Sequence, residues 1–163
     1  MPGAFVFLGQ TQVMPDSDSG GLPRPIDLLP HREPFLLVDE LVELVPGERV
    51  RGRWHLTGDE YFWPGHFPGL PTLPGVLMVE SLAQVGACAA LADPVHAGKI
   101  PFFGGVDKVK FRRKVEPGET LDLEVVFSRM SGRGGRGEGR ASVNGELACQ
   151  AELMVVLAPA PGA

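Results

Sequence analysis

The sequence predicts an α+β fold in which a curved antiparallel sheet wraps around one long central helix. Residues 75–91 form a helical segment that is apolar on all sides, and such a helix must be buried. The segments before and after it alternate between apolar and polar residues and are separated by turn signals, which is typical of hairpin-linked strands. A sheet of this kind covers the helix without crossover connections.

The composition is that of a single domain with its own core. The chain has 163 residues, of which 44% are hydrophobic and 21% are charged, and its formal net charge is -5. This acidic balance argues against general binding of nucleic acid. Cys88 and Cys149 lie in apolar stretches without metal-ligand spacing, so we expect both to be reduced core residues of a cytoplasmic protein.

Three parts are expected along the chain. Residues 1–22 are expected to be a flexible tail, because they contain a polar Asp-Ser-Gly run and lack the basic start of a signal peptide. Residues 23–158 are expected to form one domain, and residues 159–163 a short tail. The apolar helix is too short for a confident membrane span and contains a carboxylate, so no membrane insertion is expected.

Two strands are predicted before the helix. Residues 35–44 form the first, and Pro46-Gly47 closes it as a turn. Residues 49–57 alternate, which places His55 on the outer face of the second strand. We interpret His31, in the preceding loop, as a side chain that holds this loop in place by hydrogen bonding.

The loop in front of the helix carries a candidate reactive side chain. It has the sequence Gly65-His66-Phe67-Pro68-Gly69, whose glycines and proline favour backbone angles that regular elements avoid. A rigid loop before a helix N-terminus is suited to present His66. A histidine in a loop can equally be structural, so the loop alone leaves both interpretations open.

The helix is expected to begin at Pro74 or Gly75 and to end at about Leu91, because proline suits a first turn and Asp-Pro follows. Within it, Glu80 is a carboxyl group in apolar surroundings, which favour the protonated form and therefore suit an acid. Gln84, one turn later, is interpreted from its position as a buried amide that is hydrogen-bonded within the protein.

Three or four strands are predicted after the helix, beyond an exposed connection at residues 96–99. Residues 102–114 form a long strand with Lys108, Lys110, Arg112 and Lys114 on one face and Arg113 as a further basic residue beside them. Residues 121–127 and 147–155 alternate, and Asn144-Gly145 is a strong hairpin signal. Clustered positive charge is typical of a solvated strand face, but in an acidic protein it also suits docking of an acidic partner.

Four linked segments resemble one known family. They are the loop at residues 65–69, the helix start at residues 73–84, and two further segments at residues 29–39 and 111–118. In this order they resemble the bacterial 3-hydroxyacyl-[acyl-carrier-protein] dehydratases of type II fatty acid synthesis, which have the hotdog fold. The resemblance covers residues 26–157.

The resemblance implies a site and its partners. It assigns His66 and Glu80 as the catalytic pair, contributed by two protomers of a dimer, with dimers often assembled into hexamers. It suggests Gly75, Val76, Phe67 and Gln84 as substrate-binding positions, with the Gly75 N–H on the substrate carbonyl. It implies no metal or other cofactor, and a substrate carried on the phosphopantetheine arm of acyl carrier protein.

The chemistry of dehydration fits these residues. A base must remove a proton from C2, donors must stabilise charge on the thioester oxygen, and an acid must help the C3 hydroxyl leave. An imidazole, a helix N-terminus and a protonated carboxyl suit these three tasks. We expect His66 to be the base and Glu80 the acid. The alternative is that His66 moves both protons while Glu80 orients a water.

Two other functions compete with the dehydratase. A hotdog acyl thioesterase would use a helix carboxylate to activate water, but such enzymes lack the loop found here at residues 65–69. A non-catalytic acyl-binding subunit would not require both His66 and Glu80. Five apolar residues near the loop could line an acyl tunnel or simply pack in the core: Phe62, Trp63, Phe67, Leu70 and Met78.

Overall fold

The computed structural model describes residues 21–162. The flexible tail expected over residues 1–22 therefore lies outside the described residues, apart from Gly21 and Leu22. In chain order the helices and strands are α1 (Pro25–Leu28), β1 (Glu40–Val45), β2 (Arg49–His55), α2 (Gly75–Leu91), β3 (Lys99–Phe111), β4 (Thr120–Ser131), β5 (Gly134–Val143) and β6 (Glu146–Pro159).

One six-stranded sheet surrounds one long helix. The strands lie in the order β1-β2-β4-β5-β6-β3, and every neighbouring pair is antiparallel. The chain leaves the sheet after β2, forms α2, and returns at the opposite edge as β3. This arrangement confirms the predicted fold class, and the bounds of α2 agree with those expected from the sequence.

The core lies between α2 and the inner face of the sheet. Leu82, Val85 and Cys88 of α2 are fully buried, as are Val50 and Leu121 on the strands facing them. The hydrophobic effect therefore fixes α2 against the sheet over most of its length. Val76, in the first turn of α2, is 72% exposed, so the expectation of a helix buried on every side does not hold at its N-terminus in a single chain.

The first strand is shorter than expected. Residues 35–39 do not belong to β1, which begins at Glu40. Instead they run beside α2, where the Leu37 N–H donates to Oε1 of Gln84 over 2.8 Å. A side chain of the helix thus satisfies backbone groups that a neighbouring strand would otherwise satisfy.

The strand after α2 is displaced from its predicted bounds. β3 ends at Phe111 rather than at residue 114, and its register with β6 shifts between Asp107 and Lys110. Lys108 in this bulge has a positive φ of 49°. A bulge adds a residue to one strand and interrupts simple alternation, which the sequence pattern alone does not reveal.

The connection after α2 is exposed at Ala97 and Gly98, as expected, but not at His96. His96 is only 2% exposed, and its Nδ1 donates to the Ala90 carbonyl oxygen over 2.7 Å. It satisfies one of the free carbonyls at the C-terminal end of α2. The predicted hairpin at Asn144-Gly145 is present, with φ of 49° and 82° respectively.

Candidate active site

The loop that carries His66 is anchored by Glu60. The Glu60 carboxylate accepts hydrogen bonds from the indole N–H of Trp63 and from the backbone N–H groups of Thr57 and Gly58. Burial alone would raise the pKa of this carboxyl, but these hydrogen bonds outweigh burial and lower its pKa. A short 3₁₀ turn over Trp63–Gly65 then leads directly into His66.

The imidazole of His66 is oriented by a backbone carbonyl. Its Nδ1 lies 2.7 Å from the Thr72 carbonyl oxygen, and the Thr72 N–H donates to the His66 carbonyl over 2.8 Å. A carbonyl can only accept, so Nδ1 carries the proton and Nε2 of the neutral ring has a free lone pair. The Phe67 ring stacks on the imidazole at 4.0 Å. The loop therefore presents a half-buried base.

The N-terminus of α2 is uncapped. The Pro74 carbonyl accepts from Leu77 and Met78, and no side chain caps the first turn. The N–H groups of Gly75 and Val76 therefore have no acceptor within the helix. The Phe111 ring lies directly over Gly75: a Cβ there would be 2.7 Å from Phe111 Cε1, so only glycine fits without displacing the ring.

Glu80 lies in the second turn of α2, with a side chain that is 19% exposed. Its Oε1 accepts from Nε2 of Gln84 over 2.9 Å, and Nε2 of His31 lies 3.6 Å from the same oxygen. Nε2 of Gln84 also donates to the Phe35 carbonyl, and Oε1 of Gln84 accepts from Leu37. The nitrogen and the oxygen of the Gln84 amide therefore both have hydrogen-bond partners within the protein. These contacts favour a structural role for Gln84 over the substrate-binding role that the resemblance suggested.

A single chain does not bring His66 and Glu80 into contact. Within residues 21–162, no hydrogen bond or ion pair joins the two side chains. Around them lie apolar side chains that are at least half exposed, at Phe67, Val76 and Phe111. The site of one chain is therefore open on the side where β3 forms the edge of the sheet.

The candidate tunnel residues divide into two groups. Phe62, Trp63 and Met78 are buried in the core, which fits the packing alternative, whereas Phe67 and Leu70 are about half exposed. Two cavities of the described chain, of about 300 and 270 Å³, lie elsewhere and are not lined by His66 or Glu80. The larger one lies on the outer face of the sheet beside Glu138 and Glu152.

The predicted basic surface is reduced by ion pairing. Lys108, Arg113 and Lys114 are each paired with a nearby glutamate. Lys110 and Arg112 have no ion-pair partner within residues 21–162 and are exposed. The charge available to a partner is therefore concentrated at these two positions.

The cysteines are free and buried, as expected. Burial raises the pKa of the Cys149 thiol to about 11 and raises that of Cys88 further. Across the described part of the chain, no group of His, Cys, Asp and Glu side chains is arranged to hold a metal ion. No helix within residues 21–162 is long and apolar enough to cross a membrane.

Sequence reasoning missed two contributors to the site. Thr72 acts through its backbone carbonyl, for which no side-chain signal exists. His31 was interpreted as a loop anchor, but its Nδ1 has no hydrogen-bond partner in residues 21–162, and its other nitrogen faces Glu80. The signal for His31 was its position in the segment at residues 29–39, which resembles the same family as the loop.

Fold and site together define a hotdog-type protein. A solved structure, a chain of the dehydratase heterocomplex ApeI:P from Xenorhabdus doucetiae, has the same fold with a TM-score of 0.74, at 18% identity, over 84% of this chain and 92% of that chain. Residues 29–152 match the FabA-like domain, and the chain therefore belongs to the FabA-like family.

Within that family the chain groups with the FabZ proteins. It is 50% identical over 131 residues to the 3-hydroxyacyl-[acyl-carrier-protein] dehydratase FabZ of Natranaerobius thermophilus, covering 80% of this chain and 92% of the relative. It is 54% identical over 127 residues to the protein of the same name from Chloroflexus aggregans, covering 78% and 88% respectively. The resemblance seen in the sequence is thereby confirmed.

Proposed function

We propose that the protein dehydrates (3R)-3-hydroxyacyl-[acyl-carrier-protein] to trans-2-enoyl-[acyl-carrier-protein] in fatty acid biosynthesis. The FabZ relatives carry this activity in their names, and the candidate site contains the chemical groups that the reaction needs. The observation that carries the mechanism is the 2.7 Å contact between Nδ1 of His66 and the Thr72 carbonyl, because it leaves Nε2 free to act as the base.

In the proposed reaction, Nε2 of His66 removes the proton from C2. The electron pair of the C–H bond forms the C2=C3 double bond as the C3–O bond breaks. Charge that develops on the thioester oxygen is stabilised by the uncapped N–H groups of Gly75 and Val76, where the positive end of the α2 dipole also acts. This is the role proposed for the start of α2 in substrate binding.

Glu80 supplies the second proton. Its carboxyl group protonates the departing C3 hydroxyl, which leaves as water, so that His66 ends protonated and Glu80 ionised. Transfer of one proton from His66 to Glu80, through solvent or product water, restores both groups. The alternative, in which His66 moves both protons and Glu80 orients a water, uses the same two residues.

The proposed site is shared between two copies of the chain. One chain leaves His66 and Glu80 without mutual contact and leaves apolar side chains uncovered at the β3 edge. A second copy placed at this edge would cover them and contribute Glu80 of the partner subunit opposite His66. A homodimer, with further assembly of dimers into a hexamer, is therefore part of the proposal, as is a cytoplasmic location.

Acyl carrier protein is the proposed partner, and Lys110 and Arg112 are its proposed docking residues. Replacing both by Glu is expected to raise KM for the carrier-bound substrate about tenfold or more at low salt, because like charge repels an acidic partner. The same double variant should leave KM unchanged for a small-molecule thioester. Arg133→Glu, at the opposite end of the sheet, is the charge control. An unchanged KM for the carrier-bound substrate would remove Lys110 and Arg112 from the proposal.

One assay distinguishes the proposed activity from the alternatives. Purified protein is offered a 3-hydroxyacyl or trans-2-enoyl thioester, and both enoyl absorbance and free thiol are followed. Interconversion without thiol release is expected. Thiol release would instead indicate a thioesterase, and binding without either change would indicate a non-catalytic acyl-binding subunit.

A further inference from the structure

His31 has a buried nitrogen without a hydrogen bond. Among the side chains of residues 21–162, its Nδ1 is the buried polar atom that lacks any partner. A buried and unpaired nitrogen opposes folding, so hydrogen bonding within its own loop does not explain this side chain. The loop-anchoring role expected from the sequence therefore does not account for His31, and the surroundings of its other nitrogen, Nε2, become informative.

Nε2 of His31 faces the candidate acid. It lies 3.6 Å from Oε1 of Glu80, and both side chains are mostly buried, at 22% and 19% exposed. The same oxygen accepts from Nε2 of Gln84 over 2.9 Å. Within the described residues, Oε2 of Glu80 has no protein donor. The Gln84 amide thus donates to one oxygen of the carboxyl group, the His31 imidazole approaches the same oxygen, and the other oxygen is left for chemistry.

The backbone keeps this arrangement in place. Gln84 also binds the Phe35 carbonyl and the Leu37 N–H, so the segment that begins at His31 is fastened to the same face of α2 that carries Glu80. A modest shift of the imidazole toward Oε1 would convert the 3.6 Å approach into a hydrogen bond of ordinary length. The hydrogen bonds of Gln84 therefore hold the His31 segment and the Glu80 carboxyl group beside each other on α2.

We propose that His31 is a positioning residue for Glu80: its Nε2–H holds Oε1 and directs Oε2 toward the substrate. This inference rests on the proposed function, in which Glu80 is the acid. When the His31 imidazole is neutral, Glu80 can still bind the proton that it delivers. When the imidazole is protonated, the two groups form an ion pair that keeps Glu80 ionised and unable to donate.

The charged groups around His31 fix its state at neutral pH. Burial lowers the pKa of His31 below its ordinary value, the negative charge of Glu80 opposes this shift, and the positive charge of Arg32 adds to it. The net direction is downward, which favours the proton of the pair on Glu80, the donating form, over the ion pair with His31. Each of these two forms holds one proton, so their ratio does not change with pH.

The first test compares two variants with the wild type by kcat and KM. His31→Phe is expected to lower kcat about tenfold or more with KM changed less than about twofold, because it removes the orienting donor but not the binding surface. His31→Gln supplies an amide N–H and should restore kcat to within about threefold.

The second test is a double-mutant cycle with Glu80→Gln. If His31 acts through Glu80, adding His31→Phe to Glu80→Gln should lower kcat by less than about twofold. An equal loss in both backgrounds would overturn the proposal. His55→Phe is the matched control, because His55 also lies beside a glutamate, with Nε2 3.1 Å from Oε1 of Glu40, but on the outer surface.

The outcomes separate this inference from the function on which it rests. If His31→Phe keeps kcat while Glu80→Gln loses it, the role of His31 is overturned and the proposed function stands. If Glu80→Gln keeps kcat, the role of Glu80 fails and the role of His31 fails with it. Should His31→Phe not fold, His31→Ala takes its place in the same double-mutant cycle, and an unchanged kcat in that variant would overturn the proposal.

Discussion

A backbone carbonyl determines which nitrogen of His66 is available. Because the Thr72 oxygen accepts the Nδ1 proton, Nε2 is the atom that can take a proton from a substrate. The loop, the Thr72 carbonyl and the stacked Phe67 ring restrict the imidazole to one orientation. Orientation of a general base is a large part of its catalytic effect.

Loss of the His66 imidazole should abolish turnover without unfolding the protein. His66→Ala is expected to lower kcat by about 10²- to 10⁴-fold, the usual contribution of a positioned base. Its melting temperature should stay close to that of the wild type, since His66 is half-buried in a loop that Glu60 anchors independently. Near-wild-type kcat in this variant would contradict the mechanism even if the activity were present.

The ion pair of Arg113 and Glu119 predicts a pH-dependent stability. Hydrogen bonds from Arg113 lower the pKa of Glu119 below its ordinary value of 4.5. Stability from this carboxylate is therefore present above pH 4.5 and is lost as the pH falls through the lower folded-state pKa. Glu119→Gln should cost about 1 kcal/mol at pH 7, as expected for a partly exposed bidentate pair.

The measurement is denaturant unfolding of wild type and Glu119→Gln at pH 7 and at pH 3. The difference between the two proteins should shrink at the lower pH, because the unfolded wild type then binds a proton that the paired carboxylate of the native state binds less readily. Glu124→Gln is the control, since its pair with Arg51 is longer, at 3.7 Å, and more exposed. A stability difference that grows on acidification would contradict the predicted direction of the pH dependence.

At the scale of elements, the start of α2 is shaped by β3. The Phe111 ring of β3 covers Gly75, and the chain before the helix is tied to the segment after β3, where the Leu73 N–H donates to the Val115 carbonyl over 2.8 Å. The helix N-terminus and the His66 loop are therefore held by the same segment of chain. A side chain at position 75 would disturb both.

Gly75→Ala tests this close packing. The added Cβ would lie 2.7 Å from Phe111, so the ring or the helix start must move. We expect the melting temperature to fall by about 2–4 °C, which corresponds to about 1 kcal/mol in a protein of this size, together with a loss of kcat. Adding Phe111→Leu should recover much of the stability. Gly132→Ala, where the nearest atom is the end of a lysine side chain, is the control, and an equal effect there would contradict the steric explanation.

Taken as a whole molecule, the described chain exposes an apolar patch beside the free edge of its sheet. The exposed rings of Phe67 and Phe111 and the exposed Val76 surround the site on the side of the β3 edge. Exposed apolar patches beside a free strand edge are typical of surfaces that associate. The proposed second copy would account for both the patch and the separation of His66 from Glu80.

Mixing two inactive variants tests a shared site. His66→Ala and Glu80→Gln chains, coexpressed so that they associate at random, should recover about a quarter of wild-type activity, because half of the dimers are mixed and each mixed dimer has one intact site. Each variant alone should stay inactive and serves as the control. No recovery, with mixed dimers present by mass spectrometry, would contradict a site built from two copies.

Elements with local signals could be predicted from the sequence. The bounds of α2, the Asn144-Gly145 hairpin and the strand alternation follow from turn chemistry and side-chain periodicity within short windows. The loop at residues 65–69 and its order relative to the helix also identified the family, which the FabA-like match confirmed. His66 and Glu80 were candidates from the sequence for the same reason.

Contacts between residues far apart in the chain could not be predicted in this way. The sequence did not indicate that His31 would face Glu80, that His96 would be buried at the end of α2, or that a bulge would interrupt β3 at Lys108. The Leu37–Gln84 contact, which fastens the His31 segment to the helix, joins residues 47 positions apart. Such pairs form because burial of apolar surface packs the helix into the sheet, and no local pattern records which polar groups that packing places together.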